Sequence, residues 1–396
     1  MSTSIAHGHL ADIDRIAQVG QDRKRGGYSR HLWQAADLEL REWFIQRAGD
    51  LNLDVETDRN GNIWAWWGPP GEGAVVTGSH LDSVPGGGAF DGPLGVISAL
   101  EAVGRLQQAG VHPTKPFAIL VFAEEEGSRF GVACLGSGLM TGKLDPARVL
   151  ALSDADGITF ADAAKHAGFS TSALGYDKEA LSRIGVFIEL HVEQGRGLIE
   201  LGSPTALASS ILAHGRWTLT FKGQGNHAGA TLMADRDDPM VAAARAVLEI
   251  RDAALSFKGA RATVGKISAN PGGANVIASS VTMTLDARAD SDESTRALVD
   301  DIVKRVGAKS VTEDSWSPEV RFDSDIATKL RKAIGEVPML PSGAGHDAGV
   351  LADVAPTGMI FVRNPTGVSH APEEFAELAD CVAGIDALES VLRGLL

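Results

Sequence analysis

Residues Val75–Gly92 read VVTGSHLDSVPGGGAFDG, and the pattern around them sets the architecture. The run Val75–Thr77 is apolar and rich in β-formers, which predicts a short buried strand. Leu94–Leu106 reads as a helix, and Phe117–Phe122 is a second apolar run of strand type. Strand, helix, strand in that order predicts an α/β fold with a mostly parallel sheet covered by helices. A strand that ends at His80 carries an imidazole to the carboxyl edge of such a sheet, where open α/β proteins bind ligands.

Outward from this segment, the first fifty residues look largely helical. Asn60-Gly61 between Leu53–Thr57 and Ile63–Trp67 signals a hairpin whose two turn positions accept positive φ. Val186–Leu190 reads as another buried strand. After Pro204 the pattern changes. Trp217–Phe221 alternates as a half-buried strand, a helix runs from Asp237 to about Leu255, and Ala262–Ile267 and Val281–Asp286 are strand-like. Asp292–Val306 follows as a helix that Asp292 can cap. From about Ser317 the α/β character returns, with a strand at Gly358–Val362 and a closing helix over Pro372–Leu392. The expected organisation is a catalytic domain in two pieces, 1–204 and 318–396, interrupted by a smaller α+β domain over 205–317.

The chain has 396 residues, 44 % hydrophobic and 22 % charged, the balance of a globular protein with room for two cores. Lys and Arg number 36 against 51 Asp and Glu, a net charge of −15, which argues against a nucleic-acid partner. No run is long enough to span a membrane, and the N-terminus lacks the apolar core of a signal peptide. Cys134 and Cys381 are too few for a disulfide framework or a thiolate metal site, so a cytoplasmic setting is expected.

The chemistry concentrates near predicted strand ends. Asp82 shares a side with His80 and can accept the other ring N–H of a metal-bound histidine, fixing its tautomer. Asp91 follows a flexible Gly86-Gly87-Gly88 turn that lets its carboxylate fold back. A phosphate-cradling glycine loop is the alternative for this stretch, but no Gly-Lys-Ser/Thr is present. Glu124, Glu125 and Glu126 sit together after Phe122, and three adjacent carboxylates repel unless a proton or a cation lies among them. A solvated acidic turn is the plainer reading of such a run. His191, His227 and His370 each follow or close a predicted strand.

The motifs SHLDSVPGGGAFDG, EEEGSRFG, ELHVEQG, NHAGAT, SGAGHDAG and GVSHAPEE, in that order along nearly the whole chain, resemble one family. It is the carbamoylase and allantoate-amidohydrolase branch of the dinuclear metallopeptidase superfamily. The resemblance implies a discontinuous catalytic domain with a four-stranded dimerisation lid, and hence a homodimer. It implies two divalent metal ions, one held by His80, Asp91 and His191, the other by Asp91, Glu126 and His370. Zinc, manganese, cobalt and nickel all suit such ligands. It further implies Glu125 as general base, Asp82 beside it, and His227 as a stabiliser of the oxyanion, in either its own or the partner's site. Gln194, Asn275, Arg288 and His346 match positions that contact substrate, with Arg288 gripping a carboxylate. An ion pair with Asp286 is the alternative for Arg288, and a turn cap the alternative for Asn275.

The expected reaction is hydrolysis of the carbamoyl or ureido C–N bond of an N-carbamoyl-L-amino acid, or of a relative such as allantoate. An aminoacylase or dipeptidase acting on an ordinary amide is the alternative enzyme. A non-catalytic binding protein conflicts with the presence of Glu125 and every presumed ligand. A dinucleotide-dependent oxidoreductase lacks its glycine fingerprint. Two segments depart from the family pattern: Ala230-Thr-Leu232 after His-Ala-Gly, and Phe361-Val-Arg-Asn364, which sets a cation and an amide close to His370.

Overall fold

A computed structural model describes residues 10–396. The described chain divides into two compact units, one ending at Ser209 and resuming over Arg321–Leu396, the other Ser210–Val320. No described helix is long and apolar enough to cross a membrane.

The first unit begins with strands β1 (Asp54–Thr57), β2 (Ile63–Trp67), β3 (Ala74–His80), β4 (Phe117–Phe122), β5 (Ile184–Val192) and β6 (Thr205–Ile211). The inserted unit carries β7 (Ala213–Lys222), β8 (Asn226–His227), β9 (Arg261–Asn270), β10 (Val276–Ile277), β11 (Ser280–Ala289) and β12 (Ser310–Ser317). The chain ends with β13 (Val320–Arg321), β14 (Met339–Ser342) and β15 (Thr357–Val362). The larger sheet runs β1-β2-β4-β3-β5-β15-β6-β13, with β14 also paired to β6. Its centre, β4-β3-β5-β15, is parallel. β2 joins β4, and β6 joins β15, antiparallel. Pro204, the expected boundary, precedes β6, whose first residues still pair with β15, so the division falls further along the chain.

Every residue of β3, β4 and β15 is buried, which explains why these strands read as continuous apolar runs rather than alternating ones. The helix Pro93–Gln108 covers one face with Leu94, Val96, Ile97, Leu100, Val103 and Leu106. It packs tightly on the sheet at Gly95, where a Cβ would collide with the Leu190 carbonyl and approach Ser79 Cβ to 2.7 Å.

The inserted unit folds as an antiparallel sheet, β12-β7-β11-β9, with β8 and β10 as a separate pair. The inward residues Trp217, Leu219 and Phe221 of β7 and Val281, Met283 and Leu285 of β11 form its core with the helices Pro239–Ser256 and Asp292–Val306.

Several local expectations change. Of the first fifty residues, 1–9 lie outside those described, and helix covers only Ala11–Ile16 and Ala35–Asp50. The hairpin forms, but only Gly61 has positive φ. Its loop, 58–62, is organised by Asp58, which accepts from the amides of Asn60 at 2.8 Å and Asn62 at 3.0 Å. Ser291 rather than Asp292 caps the helix Asp292–Val306, and the Asp292 carboxylate accepts from Glu319 N instead. The closing helix starts only at Leu378, because residues near His370 and Glu374 are held in a loop by the contacts described below.

Gly95 and Gly104 lie on one helix and predict opposite outcomes. Gly95→Ala should lose about 1–3 kcal/mol or more through overpacking. Gly104→Ala, whose Cβ would meet only Leu51 Cδ2 at 3.4 Å, should gain up to ~1 kcal/mol from helix propensity. Urea unfolding of both variants checks the pair.

Candidate active site

The parallel strands deliver their carboxyl ends to one edge. His80 ends β3, Glu124–Glu126 follow β4, His191 is near the end of β5, and His370 lies in the loop after β15. Asp91 divides its carboxylate between them. Oδ1 is 3.2 Å from His191 Nε2 and 3.7 Å from His80 Nε2. Oδ2 is 3.3 Å from His370 Nε2, which is 3.2 Å from Glu126 Oε2. Two groups therefore share Asp91: His80, Asp91 and His191, and Asp91, Glu126 and His370, each with ligand atoms within 4.8 Å of one another.

The inner histidines are oriented by main chain. His80 Nδ1 is 3.1 Å from the carbonyl oxygen of Asp82, and His191 Nδ1 is 2.9 Å from that of Val192. A carbonyl only accepts, so Nδ1 carries the proton and Nε2 faces the carboxylates. The two Nε2 atoms are 3.5 Å apart. Two such lone pairs beside a carboxylate call for a positive charge between them. Burial opposes charge on His80, but Glu125, Asp82 and Glu126 outweigh it and hold the ring well above the usual imidazole range. His191 is raised too, Asp91 overcoming its burial. His370 is pushed up to about 11 by hydrogen bonds to Asp91 and Glu126. A divalent ion satisfies the same field. Glu126 Oε1, buried and without a hydrogen-bond partner, is a further sign that the donor set fits a metal.

Around this cluster the chain is firmly held. The Asp82 carboxylate accepts from Glu125 N at 3.2 Å and Glu126 N at 3.0 Å, so it fixes the turn after β4, while its carbonyl orients His80. The Gly86-Gly87-Gly88 turn is not loose. Gly86 N and Gly87 N both donate to Tyr28 O, and Tyr28 N donates to Gly87 O at 2.9 Å, which leaves those amides unavailable to a phosphate. Gly92 has φ +84°, and the His80 ring occupies the space a Cβ would need. Arg363 grips Asp380 through two 2.8 Å hydrogen bonds, and Asn364 Nδ2 donates to Val368 O at 2.7 Å. These departures from the family pattern thus brace the loop that leads to His370.

Gln194 and His346 join the cluster. Gln194 Nε2 donates to Asp91 Oδ2 at 2.9 Å, while its Oε1 is buried and unpartnered. His346 is buried, its ring 4.6 Å from that of His191, and burial followed by His191 holds it neutral. With Glu189 and His191 it forms a third group of metal-ligating type. His227, Asn275 and Arg288 belong to the inserted unit. His227 Nδ1 accepts from Gly229 N at 3.0 Å and Ala230 N at 3.1 Å, so its exposed Nε2 carries the proton. Asn275 O accepts from Ala228 N at 3.0 Å. Arg288 donates to both oxygens of Asp286, at 2.8 and 3.0 Å, which is the ion pair weighed as its alternative.

Sequence reasoning missed Glu374. Its Oε1 accepts from Asp91 N at 2.9 Å and Phe90 N at 3.1 Å, and its Oε2 accepts from Ser369 Oγ at 2.9 Å. It ties the Asp91 loop to the His370 loop, and its place in GVSHAPEE was the available signal. Glu189, two residues before His191 on the same strand face, was legible from alternation alone.

The chain matches the Peptidase family M20/M25/M40 over residues 76–394. It is 35 % identical to the N-carbamoyl-L-amino acid amidohydrolase of Geobacillus stearothermophilus over 390 residues, covering 94 % of this chain and 95 % of that protein. The chain belongs to the M20 peptidase family, in its carbamoylase, allantoate amidohydrolase and ureidoglycolate hydrolase branch. As an M20 amidohydrolase it is also 32 % identical to the allantoate amidohydrolase of Bacillus subtilis, covering 97 % of this chain and 96 % of that one. The crystal structure of a hydantoinase/carbamoylase family amidase from Burkholderia vietnamiensis superposes with a TM-score of 0.86 at 29 % identity, over the full length of both chains.

Replacing Glu374 with Ala leaves the buried Asp91 amide unpaired, at about 1–3 kcal/mol, and the part-buried Phe90 amide with it. Metal affinity measured by calorimetric titration should fall roughly 10–100-fold, as for other groups that orient ligands.

Proposed function

We propose that this M20 amidohydrolase cleaves the carbamoyl or ureido C–N bond of an N-carbamoyl-L-amino acid, or of a related ureido acid such as allantoate, at a centre of two divalent metal ions. The observation that carries the reading is the Asp91 carboxylate, with one oxygen toward His80 and His191 and the other toward His370. His80, Asp91 and His191 would hold one ion, and Asp91, Glu126 and His370 the other, with zinc, manganese, cobalt and nickel all suited to the donors. Bound there, such ions would polarise the substrate carbonyl and lower the pKa of water.

The chain's own groups do the rest. Glu125 Oε2 is 3.7 Å from His80 Nε2, beside the first ligand group. Burial, with Asp347 and Glu126 adding to it against the pull of His80, raises its affinity for a proton. That direction suits a base that takes a proton from water and delivers it to the leaving nitrogen. Asp82 holds the Glu125 backbone in place. His227 offers its Nε2–H to the oxygen that becomes negative as the carbonyl is attacked. Gln194 contributes its unpartnered Oε1, and His346 a neutral ring. Asn275 and Arg288 would receive the substrate carboxylate, Arg288 with its plane already set by Asp286.

On this reading the first unit is the metal-binding catalytic domain and the inserted unit a lid that also makes a homodimer. The helix Pro239–Ser256 supports the dimer, because Val241, Leu248 and Leu255 line up at heptad spacing and are 49 %, 54 % and 78 % exposed. A cytoplasmic setting accords with two buried free cysteines. The ureido substrate class rests on the activities for which the similar proteins are named.

The test is a metal-reconstituted assay across N-carbamoyl, N-formyl and N-acyl amino acids and allantoate, following ammonia and free amine. Ammonia release from a ureido substrate is expected. Turnover confined to N-acyl amino acids would shift the protein to the aminoacylase class. Glu125→Gln should retain metal and lose on the order of 10²–10⁴-fold in kcat.

A further inference from the structure

Cys134 lies against Glu125 and occupies no role in the reaction outlined above. The segment 134–136 runs back along the turn that leaves β4. Cys134 N donates to Glu125 O at 2.6 Å, Leu135 N to Glu124 O at 3.1 Å, and Gly136 N to Ala123 O at 2.8 Å. Within this antiparallel clamp Cys134 itself adopts a left-handed conformation, φ 51°, unusual for a residue with a side chain. The conformation brings Sγ within 3.5 Å of Glu125 Oε1. It is the one hydrogen bond to the Glu125 carboxylate among the described residues, while Oε2 turns toward His80.

We propose that Cys134 is a positioning residue, its thiol donating to Glu125 Oε1 and so leaving Oε2 as the oxygen that handles the proton. A carboxylate has two equivalent oxygens and free rotation about its terminal bond, so a donor on one of them selects which oxygen faces the reaction. Burial, with Glu125 and Asp347 adding to it, keeps the thiol protonated, so it acts only as donor. A thiol is a weak donor, which restrains the base without strongly holding its negative charge. The inference rests on Glu125 acting as the base.

Three proteins test it: wild type, Cys134→Ala and Cys134→Ser. With the Glu125 carboxylate free to turn about its terminal bond, Cys134→Ala should lower kcat roughly ten- to a hundred-fold, as small misplacements of reacting groups do, with KM and metal content unchanged. Cys134→Ser retains a donor and should recover much of that loss. Equal kcat in wild type and Cys134→Ala overturns the proposal, as does a serine variant no better than alanine.

A second measurement does not depend on turnover. The infrared S–H stretch that disappears in Cys134→Ala should shift in Glu125→Gln, because its acceptor has changed. A band that stays put shows that the thiol does not bond the carboxylate and overturns the inference. A shifted band in a protein with no ureido or amide hydrolysis would uphold the contact while refuting the reaction assigned above.

Discussion

One buried carboxylate, that of Asp91, faces three imidazoles from three parts of the chain. The loops around it serve to hold it there. Its own main-chain N–H is bonded by Glu374, its Oδ2 by Gln194 and Ser369, and the glycine turn before it by Tyr28. A carboxylate this buried is costly unless paired, and histidine and metal charge are the available compensation. Burial works to raise the pKa of Asp91, yet its bonds to His191 and His370 hold it well below the usual range.

The parallel centre of the sheet makes this possible. Strands β3, β4, β5 and β15 run in one direction, so their carboxyl ends converge whatever their distance in sequence. Backbone pairing between the strands fixes the points of departure. His80 and His191 stand within their strands, while Asp91, Glu126 and His370 are placed by hydrogen-bonded connections. His370, with φ 57°, and Gly92, with φ 84°, show where those connections had to take uncommon backbone geometry.

The sheet, and the gathering of histidines and acids at its carboxyl edge, were largely legible in the sequence, because buried parallel strands read as apolar runs and these side chains follow them. Val75–Thr77 and Phe117–Phe122 gave the parallel centre, and His80 and the Glu124–Glu126 run stand where those strands stop, while the choice of Glu126 among the three came only from the family resemblance. What stayed hidden was made of long-range polar contacts that leave no periodicity. Glu374 accepting from Asp91 N spans most of the chain, and Cys134 meeting Glu125 depends on one left-handed residue. The closing helix was read too early for the same reason. Pro372 and its neighbours are compatible with a helix start, but Glu374 is needed elsewhere. Arg288 shows the limit from the other side: its neighbour Asp286 was visible, but spacing alone did not say which partner it takes.

The most direct measurement is the anomalous-scattering crystal structure of the metal-loaded protein. The account predicts two metal peaks, one on each side of Asp91, the first beside His80 and His191 and the second beside Glu126 and His370. A single peak, or metal bound instead among Glu189, His191 and His346, would contradict it.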